Sequence, residues 1–218
     1  MLRAGGLLLA VAAVGTGGVA LVHDLTREPI EQRRQEQRLR QLERVLPDAR
    51  YSNNPAAATV RVRDPRLGTD APVTAYVARS GGDPRALVLP VTAPDGYNGP
   101  IELLVGIHRD GSVTGVRVLD HSETPGLGDA IEAQRSDWIH GFRGRSLDDP
   151  PPKDWALRRD GGAFDGITGA SITPRAVIGA VRQALVFYRD EGARIFERQA
   201  GDGSRGAGEP EQPVRNDP

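Results

Sequence analysis

The sequence predicts an α+β domain in which helices pack on a twisted, mainly antiparallel sheet, preceded by one N-terminal transmembrane helix. Three observations carry this prediction. The N-terminal segment is apolar, the middle of the chain has the two-residue period of β-strands, and a later segment has the period of an α-helix. The chain has 218 residues, enough to bury a core without disulfide bonds, and it contains no cysteine.

Residues 1–23 are predicted to anchor the chain in a membrane. Residues 4–22 carry no charge, and at about 1.5 Å per residue they just cross a hydrocarbon core of about 30 Å. Arg3 precedes them, and a short positive N-terminus stays in the cytoplasm, so the rest of the chain would be exported. A cleavable signal peptide is the alternative, because Gly18-Val19-Ala20 has the small residues of a cleavage site.

Residues 24–46 are predicted to form a charged linker helix. Acidic residues occur early in this segment and arginines later, an order that complements the helix dipole. Apolar residues are sparse before Leu42, Val45 and Leu46, so we expect only the last two turns to pack on the domain core. Pro47 is expected to end the helix.

Strand-like segments follow between residues 58 and 120. The segments ATVRVR and VTAYVA alternate with period two, as half-buried strands do. The segments ALVLPV and IELLVGI are continuously apolar, which is typical of central strands. Arg109-Asp110-Gly111 separates two such segments and predicts a β-hairpin.

The strongest helix prediction covers residues 174–188, where Val181 and Leu185 belong to one apolar face. We expect Thr173 to be the N-cap and Pro174 the first helical residue.

The exported domain is assigned to residues 47–199. Gly192 leaves the end of the last helix open. Residues 200–218 have no apolar face to bury and are predicted to be a disordered tail.

Composition and spacing exclude several classes of function. A formal net charge of -1 argues against a broad nucleic-acid surface. The four histidines lack the spacing of metal ligands, and no pair of acidic residues can be assigned as acid and base. We therefore predict no metal site, no catalytic residue and no nucleic-acid partner.

The segment DGITGASIT, residues 165–173, places Thr168 and Ser171 around Gly169 and Ala170 just before the predicted helix. A helix N-terminus has unpaired N–H groups and a partial positive charge that favour phosphate, and the small residues permit close approach. By this reasoning the segment is a phosphate-binding turn, a hydroxyl that becomes esterified, or a turn that only caps the helix.

The same segment resembles the covalent-flavin attachment motif of the FMN-binding domain family, roughly D-x-x-S/T-G-A-T/S. In that family the last hydroxyl carries FMN through a phosphoester, which a separate flavin transferase installs with FAD and magnesium. The resemblance implies that Ser171 carries the FMN. The resemblance also implies that the recognition positions of the motif are Asp165, Thr168, Gly169 and Ala170.

One departure from the family pattern concerns the attachment point. The family usually has threonine there, whereas this chain has Ser171, whose hydroxyl can form the same phosphoester. Thr168 and Thr173 are the fallback acceptors.

Residues 96–129 are similar to the central segment of the G subunit family of Rnf electron transport complexes, which has a G-Y-x-G opening, a hairpin and an E-T-P-G-L-G loop. The membrane anchor and the charged helix ending in ERVLP also match. In the loop, Thr124 and backbone amides could hydrogen-bond a flavin ring, and Leu127 could cover its face. Gly126 and Gly128 let backbone approach a planar ligand. The residues of this loop implied to contact the flavin are Glu123, Thr124, Gly126 and Leu127.

The resemblance implies an electron-relay subunit of an ion-translocating complex that links ferredoxin and NAD, not a complete enzyme alone. Its partners would be the other subunits, the flavin transferase and the bacterial inner membrane. The chain would cross that membrane once, with its C-terminal domain in the periplasm. The resembled family also implies that the sheet curls into a half-barrel.

Three alternatives remain open from the sequence. One is the equivalent flavin subunit of a sodium-pumping quinone reductase, or of another exported flavin system. Another is a membrane-anchored binding module without redox activity. An exported hydrolase that uses Ser171 is disfavoured, because no base or triad can be assigned.

Overall fold

The computed structural model describes residues 16, 37, 39–47 and 51–205. The chain divides into two units, Met1–Arg40 and Gln41–Pro218. In the first unit the four described residues are all helical. The predicted anchor, residues 1–23, lies outside the described residues except for position 16, and so does most of the linker helix. Among the helices that the structure does describe, none is both long enough and apolar enough to cross a membrane.

A five-stranded antiparallel sheet forms the centre of the second unit. Each strand pairs with the next one along the chain, so the spatial order equals the chain order. This arrangement confirms the predicted antiparallel sheet of an α+β domain, including the hairpin around Asp110. The strands are β1 (Thr59–Val62), β2 (Val73–Ser80), β3 (Asp83–Ala93), β4 (Ile101–His108) and β5 (Val113–Asp120).

The central strands β3 and β4 are buried on both faces, which explains their continuous apolar sequences. Successive side chains of a strand point to opposite faces. In β3, Leu87 and Leu89 belong to the larger core cluster and Val88 belongs to the smaller one. The sheet is therefore covered on both sides, by a different helix on each.

Helix α2 (Ile172–Arg205) covers the larger core face, and residues 39–45 form helix α1. The prediction that Thr173 is the N-cap is wrong, because the helix already begins at Ile172. Thr173 is buried and donates its hydroxyl to the Glu123 carboxylate instead of capping a backbone amide. Pro174 is the third helical residue, where its missing N–H still breaks no helical hydrogen bond.

Helix α2 also extends further than the sequence indicates. It passes through Gly192 without ending there. A Cβ at this position would lie 2.9 Å from the Tyr188 ring, so the glycine makes room for that ring. Ile195 and Phe196 continue the buried face. Residues 201–205, assigned to the disordered tail, are helical, and residues 206–218 lie outside the described part of the chain.

The last turn of α1 packs on the opposite face of the sheet. Leu42, Val45 and Leu46 are buried there with side chains of β2, β3 and β4, as the sequence predicted. Thr114 of β5 donates its hydroxyl to the Val45 carbonyl. A Cβ at Gly115 would lie 3.1 Å from the Val45 Cα, so glycine on the sheet lets the helix end approach closely.

Between β5 and α2 the chain forms loops and short 3-10 turns around an aromatic cluster. Phe142 stacks on Trp155 with ring centroids 6.3 Å apart, and the ring centroids of Phe142 and Phe164 are 4.9 Å apart. Trp138, in the turn Trp138–Phe142, donates its indole N–H to the Asp165 carbonyl at 2.7 Å. These contacts fix the chain directly before the residue 165–171 segment.

Candidate functional site

Three loops meet at one end of the sheet around a cavity of about 470 Å³. This volume lies within the range of roughly 300–1,000 Å³ that holds cofactors and small ligands. One loop follows β3, a second follows β5, and the third leads into α2. The cavity is lined by Tyr97, Glu123, Thr124, Leu127, Gly128, Gly169, Ala170, Ser171, Ile172 and Thr173.

Ser171 is the residue directly before the first turn of α2, and it is half-buried in the cavity wall. The turn before it is closed by the Ala170 amide, which donates to the Ile167 carbonyl at 3.1 Å. Gly169 has a φ of +80°, a conformation that side chains rarely adopt. A Cβ on Gly169 would also lie 2.7 Å from the Leu127 side chain. The sequence G-A-S thus places a hydroxyl next to backbone that a ligand can approach.

The rim of the cavity is apolar and open to solvent. Tyr97 is 65% exposed, Ile172 is 47% exposed and Leu127 is 43% exposed. Among the described residues these are three of the four large exposed apolar side chains, so the exposure is concentrated at this cavity. Exposed apolar side chains around a concave site are typical of a surface that binds an apolar or aromatic group.

A buried polar network lies beneath the rim. The Glu123 carboxylate accepts hydrogen bonds from the Asn98 backbone amide at 3.1 Å and from the Thr173 hydroxyl. Glu123 is 4% exposed and Thr173 is 1% exposed. The network joins all three loops around the cavity.

His121 anchors the start of the second loop. Its Nδ1 accepts from the Glu123 amide at 3.0 Å, and its Nε2 lies 2.9 Å from the Glu132 carboxylate. The Thr124 carbonyl closes the following turn by accepting from the amides of Leu127 and Gly128 at 3.1 and 3.0 Å. The Thr124 hydroxyl oxygen accepts from the side-chain amide (Nδ2) of Asn98 at 3.1 Å.

The structure brings together eight of the eleven sequence-predicted site residues and leaves three outside the cavity lining. Thr168 and Gly126 are exposed in the adjoining turns. Asp165 lies further away, with its exposed carboxylate 3.0 Å from the Arg158 guanidinium. The eight that line the cavity are Glu123, Thr124, Leu127, Gly128, Gly169, Ala170, Ser171 and Thr173.

Two lining residues, Tyr97 and Ile172, were not predicted from the sequence, whereas Gly128 of the second loop was. Tyr97 was part of the G-Y-x-G opening, and an aromatic residue between two glycines was a signal that could have identified it. Ile172 lies off the apolar face of α2, and a large apolar residue outside the core stripe was a similar signal. Within the described part of the chain, no group of side chains is arranged to hold a metal ion.

The donors and surfaces of the cavity fit a flavin mononucleotide. Its apolar rim matches a planar ring system, and its wall holds a serine hydroxyl at a helix N-terminus, where backbone N–H groups favour a phosphate.

Comparison with known proteins gives two family matches. A model of the FMN-binding domain matches residues 96–186, which include every residue of the cavity lining. A model of the RnfG N-terminal region matches residues 1–45.

Curated relatives match over most of the chain. The G subunit of the ion-translocating oxidoreductase complex of Vibrio cholerae serotype O1 is 49% identical over 198 residues, which cover 90% of this chain and 95% of that protein. The protein of the same name from Pseudomonas aeruginosa is 48% identical, with 90% and 92% covered. The one from Shewanella baltica is 44% identical, with 90% and 93% covered.

Proposed function

This chain belongs to the family of G subunits of ion-translocating oxidoreductase complexes, and from that premise we propose that it relays electrons through one FMN esterified to Ser171. The chain contains an FMN-binding domain. The observation that carries the proposal is the position of Ser171, which lines the apolar-rimmed cavity directly before α2.

The residues around Ser171 have distinct tasks in this proposal. Gly169 and Ala170 leave the phosphate free to approach the main chain at the helix N-terminus. Tyr97 and Leu127 provide apolar contacts for the ring from two different loops. The Thr124 hydroxyl, which accepts from the Asn98 side chain, has its own proton to donate to the polar edge of the ring. When bound, FMN supplies one-electron transfer, and the protein sets its position and potential.

Asp165 and Thr168 have a different proposed task, because they lie outside the cavity lining. We assign them to recognition by the flavin transferase that attaches the FMN. Asp165 is accessible for this purpose, since its side chain is 68% exposed. Gly126, with a φ of +78°, allows the tight turn of the second loop and is assigned to positioning.

The relatives are named as subunits of an ion-translocating complex, and the same assembly is proposed for this chain. Residues 1–23 would cross the inner membrane once, and residues 47–199 would form the periplasmic FMN domain, with the sheet curled as a half-barrel. The chain alone is then not a complete enzyme, because other subunits deliver and accept its electrons. The match of residues 1–45 to the RnfG N-terminal region favours an Rnf-type complex over a sodium-pumping quinone reductase.

The test is the intact mass of the chain produced together with a flavin transferase. The wild type should gain the mass of one FMN less one water, and Ser171→Ala should gain nothing. Ser171→Thr, which restores the usual family residue, is the matched control and should be modified like the wild type. A wild-type chain without added mass would refute the proposed covalent attachment.

A further inference from the structure

We propose that Glu123 is a positioning residue that holds Ser171 in place through Thr173 and also keeps the midpoint potential of the flavin low. This inference rests on the proposed flavin at Ser171. It differs from a direct contact role, because both carboxylate oxygens of Glu123 are already bonded within the chain.

The bonding of the carboxylate is unusual for a buried acid. Glu123 is 4% exposed, and its partners are the Asn98 amide and the Thr173 hydroxyl. Both donors are neutral groups, a backbone N–H and a hydroxyl. Each carboxylate oxygen is therefore held by one neutral donor.

The backbone around Glu123 is built to enclose this carboxylate. A Cβ at Gly128 would lie 2.8 Å from both Cβ and Oε2 of Glu123, so this position requires glycine while the Glu123 side chain stays where it is. A Cβ at Gly96 would lie 2.9 Å from Glu123 Oε1, although the Gly99 carbonyl oxygen at 2.2 Å already excludes a side chain there. His121 fixes the chain at the base of the side chain by accepting from the Glu123 amide at 3.0 Å.

The position of the carboxylate determines the position of the proposed attachment residue. Thr173 is the second residue of α2 and lies two residues after Ser171, so a bond to its side chain fixes the start of the helix. Asn98 follows Tyr97, so the bond to its amide fixes the rim residue of the first loop. One side chain thereby sets the distance between the attachment point and two walls of the cavity.

The same side chain has an electrostatic effect on any redox group in the cavity. Glu123 is one of the lining residues, and we take its carboxylate to be ionised. A negative charge at this buried position would act over several ångströms. A flavin that accepts electrons becomes more negative, so a nearby carboxylate disfavours the reduced state. The effect is a lower midpoint potential, in line with the way protein charges tune flavins.

The test uses the full chain produced with a flavin transferase, and it measures the midpoint potential by spectroelectrochemistry on the flavin-bearing fraction. Glu123→Gln keeps the size of the side chain and removes the charge, and its potential should be more positive than that of the wild type. An unchanged potential would overturn the electrostatic part of the inference. The glutamine amide can keep both bonds, since its oxygen can accept from the Asn98 amide and its N–H can donate to the Thr173 oxygen. A shift in potential with unchanged flavin incorporation therefore reports the lost charge.

The positioning part is tested with a matched pair at residue 173. Thr173→Val removes the hydroxyl and should reduce the fraction of flavin-bearing chain severalfold by intact mass, whereas Thr173→Ser keeps the donor and should restore it. Equal incorporation in the two variants would overturn the inference. If Glu123→Gln does not fold, this pair still decides the positioning role. A wild-type chain without flavin would refute the proposed covalent attachment. A wild type that carries flavin, with equal incorporation in the two residue 173 variants, would refute only the positioning role.

Discussion

At the scale of single residues, the turn at Gly169 shows how backbone conformation and packing select one amino acid. Its φ of +80° disfavours any residue with a Cβ, and the place of that Cβ is occupied by the Leu127 side chain at 2.7 Å. Leu127 is itself proposed to cover the flavin ring. The glycine of the motif is therefore needed by the fold of the site as well as by the approach of a phosphate.

We predict that Gly169→Ala reduces flavin incorporation and costs about 1–2 kcal/mol of folding free energy from backbone strain. Gly166→Ala is the matched control within the same segment, because that glycine has no neighbouring atom within 4 Å of an added Cβ. Intact mass and urea unfolding of both variants test the prediction. Equal incorporation in the two variants would show that the Gly169 conformation is not required.

Individual residues also limit what the motif reveals. The pattern at residues 165–173 identified Ser171, Gly169 and Ala170, which line the cavity. It could not show that Asp165 points away toward Arg158, because a linear motif does not distinguish residues that face a cofactor from those that face another protein. The local sequence predicts Thr173 as an N-cap, because it precedes a proline and an apolar-periodic segment. Its actual partner, Glu123, is fifty positions away in the chain, so the local pattern could not reveal it.

At the scale of secondary structure, the strands were easier to predict than the helix ends. Alternation in the outer strands and continuous apolar sequence in the central ones report burial directly, and the hairpin at Asp110 is a local turn, so neighbouring residues were sufficient. The end of α2 depends on tertiary contacts. Gly192 interrupts the sequence pattern but packs against Tyr188, and the burial of Phe196 continues the helix beyond it.

The contact between the end of α1 and the sheet gives a second prediction. Thr114 is 6% exposed, and its hydroxyl donates to the Val45 carbonyl at the end of the helix. Thr114→Val keeps the shape and removes the donor, so it should lower the free energy of unfolding by about 1–3 kcal/mol. Thr114→Ser retains the hydroxyl, so its free energy of unfolding should fall clearly less than that of Thr114→Val.

Urea unfolding of the purified full chain measures both Thr114 variants, and hydrogen exchange at residues 41–46 reports the helix end. Faster exchange at these residues should appear in Thr114→Val alone. An unfolding midpoint for Thr114→Val at or above that of the wild type would show that the buried bond does not hold the helix on the sheet.

The contact between α2 and the β4–β5 hairpin leads to a pH prediction. Tyr188 donates its hydroxyl to the Arg109 carbonyl at 3.0 Å, and burial, together with the nearby Asp110 charge, raises the pKa of Tyr188 to about 12. In the unfolded chain a tyrosine titrates near pH 10. The folded state therefore holds this proton more tightly, and its contribution to stability is complete below pH 10 and is lost as the pH rises toward 12.

Tyr188→Phe has no hydroxyl to titrate at this position. The difference in stability between the wild type and this variant therefore isolates the contribution of the Tyr188 hydroxyl. At pH 8 the wild type should be more stable than Tyr188→Phe by about 1 kcal/mol, the typical net value of one hydrogen bond. The difference should shrink at pH 11, as measured by the urea midpoints of both proteins. A constant difference between pH 8 and pH 11 would contradict the raised pKa.

At the scale of the whole molecule, the site exists only where three distant parts of the chain meet. Tyr97, Leu127 and Ile172 come from three loops and form the exposed apolar rim together. Sequence reasoning found the attachment segment and the E-T-P-G-L-G loop, because each is a local pattern. It did not find Tyr97 or Ile172, although both lie inside the quoted motifs, because only the fold shows that their side chains are exposed at the cavity rim.

The proposed topology gives a prediction for intact cells. If residues 1–23 cross the inner membrane with the domain outside the cytoplasm, protease added to spheroplasts should degrade the domain without detergent. A cytoplasmic protein serves as the control and should stay intact until the membrane is dissolved. Protection of the domain in sealed spheroplasts would contradict the proposed orientation.

The central claim is that Ser171 carries the flavin, and the most direct measurement is tandem mass spectrometry of the tryptic peptide of residues 160–175. Its only hydroxyl side chains are Thr168, Ser171 and Thr173, so fragment ions can distinguish every candidate acceptor. We predict that the mass of one FMN less one water is found on Ser171 alone. The same mass on Thr168 or Thr173, or an unmodified peptide from flavin-containing protein, would contradict the account.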